Sequence, residues 1–129
     1  MIRLLAVGAT IFGALAAGAA EVVPSGQKLE LREVLIDEVG VETWIRFQFL
    51  APEIARGTGT ITYQQAADDL PHLCETVALP YVAEHGLQGE VVVITLQDRP
   101  VPFGQGDPDA TQYIDAYRIQ SGACIWEAF

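Results

Sequence analysis

The chain has 129 residues, half of them hydrophobic, and sets 7 Lys and Arg against 17 Asp and Glu for a formal charge of −10. Such a surface repels nucleic acid and anionic membrane and favours cationic partners, although solubility alone accounts for many acidic proteins. The length suits one domain with one core and is too short for large cofactor enzymes such as the thiamin-diphosphate synthases, so no cofactor is expected.

Met1 to Arg3 form a short positive end, and Leu4 to Ala17 form an apolar run rich in Leu, Ala, Val and Gly. Ala17-Gly18-Ala19 fits the small-x-small pattern of signal peptidase, so residues 1–20 read as a secretory signal peptide. A membrane anchor is the competing reading, but the run falls short of the ~20 apolar residues a span needs. No cysteine lies near the cut, which argues against a lipid anchor. The expectation is a single domain over residues 21–129, periplasmic or secreted, with no membrane contact after cleavage.

Glu21 to Gln27 contains Pro24, Ser25 and Gly26 and reads as an exposed lead-in. Lys28 to Asp37 reads as a strand: Leu29 and Leu31 alternate with Glu30 and Arg32, and then the phase slips into Val34-Leu35-Ile36. That slip implies a bulge or burial on both faces. After a turn at Asp37 to Gly40, Glu42 to Leu50 puts Ile45, Phe47 and Phe49 on one face and Trp44, Arg46 and Gln48 on the other. The short connection makes an antiparallel hairpin.

The stretch from Thr62 to Gly86 carries a helical apolar period through Ala66, Leu70, Leu73, Cys74, Val77, Ala78, Tyr81 and Val82. Thr62 and Gln65 fit a capping box, and Asp68 and Asp69 suit the early turns of a helix. Pro71 and Pro80 conflict with a regular helix: it either starts at Asp68 or Asp69 or bends at Pro71. Gly86 is a stop signal. Glu90 to Leu96 is an apolar run without alternation, expected as a central strand. Arg99 to Pro108 is a proline-stiffened loop. Gln112 to Gln120 reads as a strand or a mixed segment, and as a strand it makes a C-terminal hairpin with Ala123 to Phe129 across Ser121-Gly122. The predicted fold is α+β in the order β-β-α-β-β-β, an antiparallel sheet of about five strands with one main helix across one face. Its expected core includes Leu31, Ile45, Phe47, Leu70, Leu73, Val77, Tyr81, Val92 and Ile94.

Asp68, His72 and Glu75 are spaced to share one face of a regular helix and are the candidate metal ligands, the alternative being a solvated helix face. His85 reads as a cation at a helix C-terminus. Ser25 and Ser121 lie in a tail and a turn without a nucleophile-elbow motif, and no phosphate loop, dinucleotide fingerprint or cysteine metal cluster occurs. No catalytic residue is therefore assigned. Trp44, Arg46, Phe103 and Trp126 form the candidate binding surface, since exposed aromatics beside an arginine mark interfaces. The competing reading is that these rings fill the sheet face that the helix leaves uncovered.

An oxidising address and two cysteines leave one intramolecular pairing, Cys74 with Cys124. A helix packed across the sheet can bring them within disulfide reach.

The run Asp69-Leu70-Pro71-His72-Leu73-Cys74-Glu75, then Leu79-Pro80-Tyr81, Asp98-Arg99-Pro100 and the ending Cys124-Ile125-Trp126-Glu127-Ala128-Phe129 resembles a family of small exported proteins of unknown function from alphaproteobacteria of the Rhodobacter type. The resemblance spans nearly all of the mature chain. It implies a diderm source and a periplasmic address, and it implies no activity, cofactor or catalytic residue. The functional expectation is a non-catalytic module that binds or modulates another envelope protein, with a basic periplasmic protein such as a lysozyme as the partner type. A small hydrolase or metal-binding protein using Asp68, His72 and Glu75 is the alternative.

Overall fold

Alternating apolar residues fold Glu30–Val39 (β1) and Glu42–Leu50 (β2) into an antiparallel hairpin. Val39 pairs with Glu42, so the turn is Gly40 and Val41, and Gly40 has φ +64°, a conformation glycine adopts freely. The computed structural model describes residues 20–129. The expected signal peptide, its last residue apart, lies outside the described residues. In β1 the register shifts between Leu31 and Glu33, so Arg32 is the extra residue of a β-bulge. The phase slip in the sequence is that bulge. It lets Leu31 and Val34 both pair with core residues of β2, Phe49 and Phe47.

Three more strands follow, Val91–Gln97 (β3), Gln112–Gln120 (β4) and Ala123–Glu127 (β5), and the five lie in the order β1-β2-β3-β4-β5. The sheet is mixed rather than wholly antiparallel, because β2 and β3 run parallel. The chain leaves the end of β2, crosses one face as a helical region and re-enters beside the start of β2, which makes the two strands parallel. The element order also departs from the simple expectation. A 3-10 turn, Pro52–Ile54, precedes a helical region in four pieces: Tyr63–Ala66 (α1), Asp69–Leu73 (α2), a π-helical turn at Cys74–Ala78 and Leu79–Glu84 (α3).

The prolines explain the divisions. Thr62 caps α1 through a full capping box: Thr62 Oγ1 accepts the Gln65 amide at 3.3 Å, and Gln65 Oε1 accepts the Thr62 amide at 2.8 Å. Pro71 has no N–H to offer one turn back, and the helix breaks at Ala67 and Asp68. Pro80 would press its ring on the carbonyl one turn earlier. The coil widens just before it, with the Leu79 N–H reaching the Cys74 carbonyl five residues back.

Ile45, Phe47 and Phe49 of β2 pair with Val92, Ile94 and Leu96 of β3, and all six are buried with Leu70, Leu73, Cys74 and Ala78 of the helical region. Of the expected core, Leu31, Val77 and Tyr81 are only partly buried and pack at its margin. Every residue of β3 is buried, as expected of a central strand covered on both faces.

The segment from Glu21 to Gln27 is not an exposed lead-in. Glu21 donates its amide to Leu29 at 2.9 Å, and Val23 and Leu29 are buried. The fully buried Asp69 carboxylate accepts the Ser25 amide at 2.9 Å, the Ser25 hydroxyl, and Gln27 Nε2 at 2.8 Å. A charge out of water needs such donors, so Asp69 fastens this segment to the helical region.

Cys74 and Cys124 form the expected disulfide, with Cα atoms 6.4 Å apart, joining the π turn to β5. Among the described residues no helix is long and apolar enough to cross a membrane.

Candidate functional site

Strand alternation sends Ile45, Phe47 and Phe49 under the helix and therefore sends Trp44, Arg46 and Gln48 to the opposite face. There they neighbour Val91, Val93 and Thr95 of β3 and, beyond those, Ile114 and Ala116 of β4. Among the described residues no helix covers this face. Phe103 of the β3–β4 loop reaches over it from one side and the C-terminal Phe129 from the other.

Arg46 is the centre of the arrangement. Its guanidinium carbon lies 4.7 Å from the Phe103 ring centroid and 5.3 Å from that of Trp44. Its Nε donates to Asp37 Oδ1 at 2.8 Å and its Nη2 to Asp37 Oδ2 at 3.4 Å. The side chain is thus gripped by two rings while a carboxylate balances its charge. The Trp44 ring in turn meets the Phe129 ring at 4.8 Å between centroids.

A second arginine closes the far end. Arg118 donates to Glu42 at 2.7 Å and, through two nitrogens, to Glu127 at 2.7 and 3.1 Å. The hydrogen bonds from Arg118 hold the Glu42 and Glu127 carboxyls below the usual carboxylate range, and those bonds raise Arg118 in turn. Arg118 also lies 6.0 Å from the Phe129 ring. Between these groups is a hollow of about 320 Å³, lined in part by Trp44, Arg46, Val93, Ile114 and Phe129. Ile114 is 58% exposed and Phe129 65% exposed.

The loop carrying Phe103 is tied at its base. The buried Asp98 accepts the Thr111 amide at 2.6 Å and pairs with Arg99 at 2.9 Å. Burial alone would raise the Asp98 carboxyl, but the Arg99 guanidinium and the Thr111 amide outweigh it and hold it below its ordinary value.

A family model described as Family of unknown function (DUF6497) matches residues 8–129. The chain belongs to that family. No curated protein and no solved structure matches it. The DUF6497 match spans every residue of the arrangement above, and the family description assigns none of them a role.

Of the four residues expected to form a binding surface in this DUF6497 chain, Trp44, Arg46 and Phe103 come together. Trp126 lines the hollow with Trp44 and Arg46 while pairing in register with the core residue Tyr117, and its indole N–H donates to Asp115 at 3.2 Å. Sequence reading missed Ile114, Arg118 and Phe129. Alternation along β4 could have placed Ile114 and Arg118 on one face, but the return of the C-terminus onto Trp44 has no local signal.

Of the candidate metal ligands Asp68, His72 and Glu75, the last two take other tasks. His72 Nε2 lies 3.0 Å from the Val22 carbonyl, and Glu75 accepts the Cys124 amide at 2.9 Å. Among the described residues no three His, Cys, Asp or Glu side chains are grouped to hold a metal ion. The break before Asp69 and the π turn carrying Glu75 also destroy the regular helical spacing on which that reading rests. His85 donates from Nδ1 to the Tyr81 carbonyl at 3.0 Å and stacks on the Tyr81 ring, so it serves the last helical turn.

Proposed function

We propose that the protein is exported to the periplasm of a diderm bacterium of the Rhodobacter type and there acts as a non-catalytic module that binds another envelope protein. The surface that binds is the helix-free face around Trp44, Arg46 and Phe103. One observation carries this reading: Arg46 is gripped between two aromatic rings beside an open hollow with the exposed apolar side chains Ile114 and Phe129 at its edge. Pre-ordered aromatic and arginine side chains around an apolar centre are the features of interface hot spots. The disulfide fits an oxidising compartment.

The partner is basic. The chain carries a charge of −10, and Arg32, Arg46, Arg56, Arg99 and Arg118 each already contact a carboxylate or carbonyl of the same chain. A cationic envelope enzyme such as a lysozyme has the matching charge. The test is capture from periplasmic extract with the wild-type chain and with a Phe103→Ala, Ile114→Asp variant. A saturable partner retained by the first and lost by the second supports the reading. Recovery of only salt-labile contaminants, or equal capture by both, defeats it. A lysozyme activity assay in the presence of each chain checks the specific version.

A further inference from the structure

Beside the hollow, and separated from it by Arg46 and Ile114, lies a second pocket of about 200 Å³ beneath the proline loop. We propose that this pocket, walled by Gln48, Thr95, Gln112 and Arg46, is a binding site for the carboxylate group of a small ligand.

The argument begins at the bulge. Arg32 has donors only. Its Nη2 lies 3.2 Å from both Gln48 Oε1 and Gln97 Oε1, so both amides turn their oxygens toward it. Gln97 Nε2 then donates to Gln112 Oε1 at 3.0 Å and to the Val101 carbonyl at 3.3 Å. Gln97 is thereby satisfied, and the orientation passes outward. Gln48 and Gln112 have their oxygens occupied and are left with Nε2 groups that have no protein partner among the described residues. Gln48 as a residue is only 4% exposed, and its amide nitrogen is not among the buried atoms that lack a partner, so it is an accessible donor on a side chain held in the pocket wall.

Two more donors converge on the same space. The Thr95 hydroxyl has no protein partner among the described residues, and Thr95 is buried. Arg46 gives its Nε and Nη2 to Asp37, which leaves Nη1 uncommitted. The lining contains no Asp or Glu, although the chain has 17. A wall of N–H and O–H donors with one guanidinium, in an otherwise acidic molecule, is matched by an acceptor-only group with negative charge. A planar carboxylate satisfies it. The pocket is smaller than the ~300–1,000 Å³ of sites for drug-sized molecules, so it takes a short acid or the terminal residue of a chain. Phe103 supplies an apolar edge for the carbon attached to the carboxylate.

The pocket shares Arg46, Phe103 and Ile114 with the proposed protein-binding face, but the proposal does not need a protein partner and is tested without one. Propionate, N-acetylglycine and the uncharged N-acetylglycinamide are titrated separately into 15N-labelled protein, and the side-chain amide signals of Gln48 and Gln112 are followed. Saturable shifts are expected with at least one carboxylate and none with the amide. Saturation by propionate as strongly as by N-acetylglycine identifies a free acid, and saturation by N-acetylglycine alone identifies a peptide C-terminus. Gln48→Glu keeps an oxygen for Arg32 but replaces the donor by a repelling acceptor, and binding should weaken about tenfold or more. Gln112→Glu and Thr95→Val test the same wall if the first variant fails to fold. No saturable shift with either acid, equal shifts with N-acetylglycinamide, or unchanged affinity in the folded variants overturns the proposal.

Discussion

Glu75 accepts the backbone amide of Cys124 at 2.9 Å, one residue along from the disulfide that joins Cys124 to Cys74. The edge strand β5 is therefore held to the π turn twice, by a covalent bond and by a charge-assisted hydrogen bond. The cross-link closes a loop with a sequence separation of 50 residues, for which chain entropy gives about 4 kcal/mol. Reduction should lower unfolding free energy by about 2–4 kcal/mol and raise amide exchange first in Ala123–Glu127. Chemical denaturation and hydrogen exchange, with and without reductant, measure both. Two thiols that alkylate freely in the unreduced protein would refute the bond.

Leu73 is fully buried between the helical region and the sheet. Replacing it by Ala removes its contacts and leaves a cavity, at a cost of about 2–5 kcal/mol. The urea midpoint reports the loss. A change below about 0.5 kcal/mol would mean that Leu73 is not a core contact.

Asp69→Ala should free the N-terminal segment while leaving the sheet intact. The substitution removes one acceptor group that serves two side chains and a backbone amide. Leaving such donors unpaired costs about 1–3 kcal/mol. Limited proteolysis should cut between residues 21 and 28 in the variant and spare that stretch in the wild type. An unchanged digest would show that Val23 and Leu29 hold the segment unaided.

Acid should loosen the proline loop. The folded-state carboxyl of Asp98 is depressed, so its contribution is fully present above the ordinary carboxylate range and is lost as pH falls through the lower folded value. As pH falls below the ordinary carboxylate range, the Thr111 amide should lose protection ahead of the β3 amides. Asp98→Asn should show the loosened loop already at neutral pH. A Thr111 amide that stays as protected as β3 throughout would contradict the role given to Asp98.

The sheet's strands, the bulge and the disulfide partners were legible in the residues for physical reasons. Alternation in β2 and β4 is a direct record of two unlike faces, and the slip after Arg32 is the one place where the record jumps. Less legible was whatever depends on where the chain goes next. The parallel pairing of β2 with β3 is decided by the path of the helical crossover rather than by the composition of either strand. Asp69 has the sequence position of a first-turn acid favoured by the helix dipole, and only the return of Ser25 and Gln27 shows it to be a buried anchor. The candidate surface was half readable: Trp44 and Arg46 share a face by period, whereas the approach of Phe103 and Phe129 is set by a loop and a terminus.

The parallel seam has a consequence for the order of assembly. The hairpin β1–β2 and the meander β3–β4–β5 join neighbours in sequence, so each can form with little loop-closure entropy. The seam between β2 and β3 joins strands separated by everything from Ala51 to Glu90. It is the one strand pairing of high contact order in the sheet, and such pairings limit folding rates. This topology predicts that the two local β units form first and are then zipped together through Ile45–Val92, Phe47–Ile94 and Phe49–Leu96, so substitutions at those pairs should speed unfolding more than they slow folding. Until the helical crossover is laid down, both units present a bare strand edge along which two chains can exchange halves.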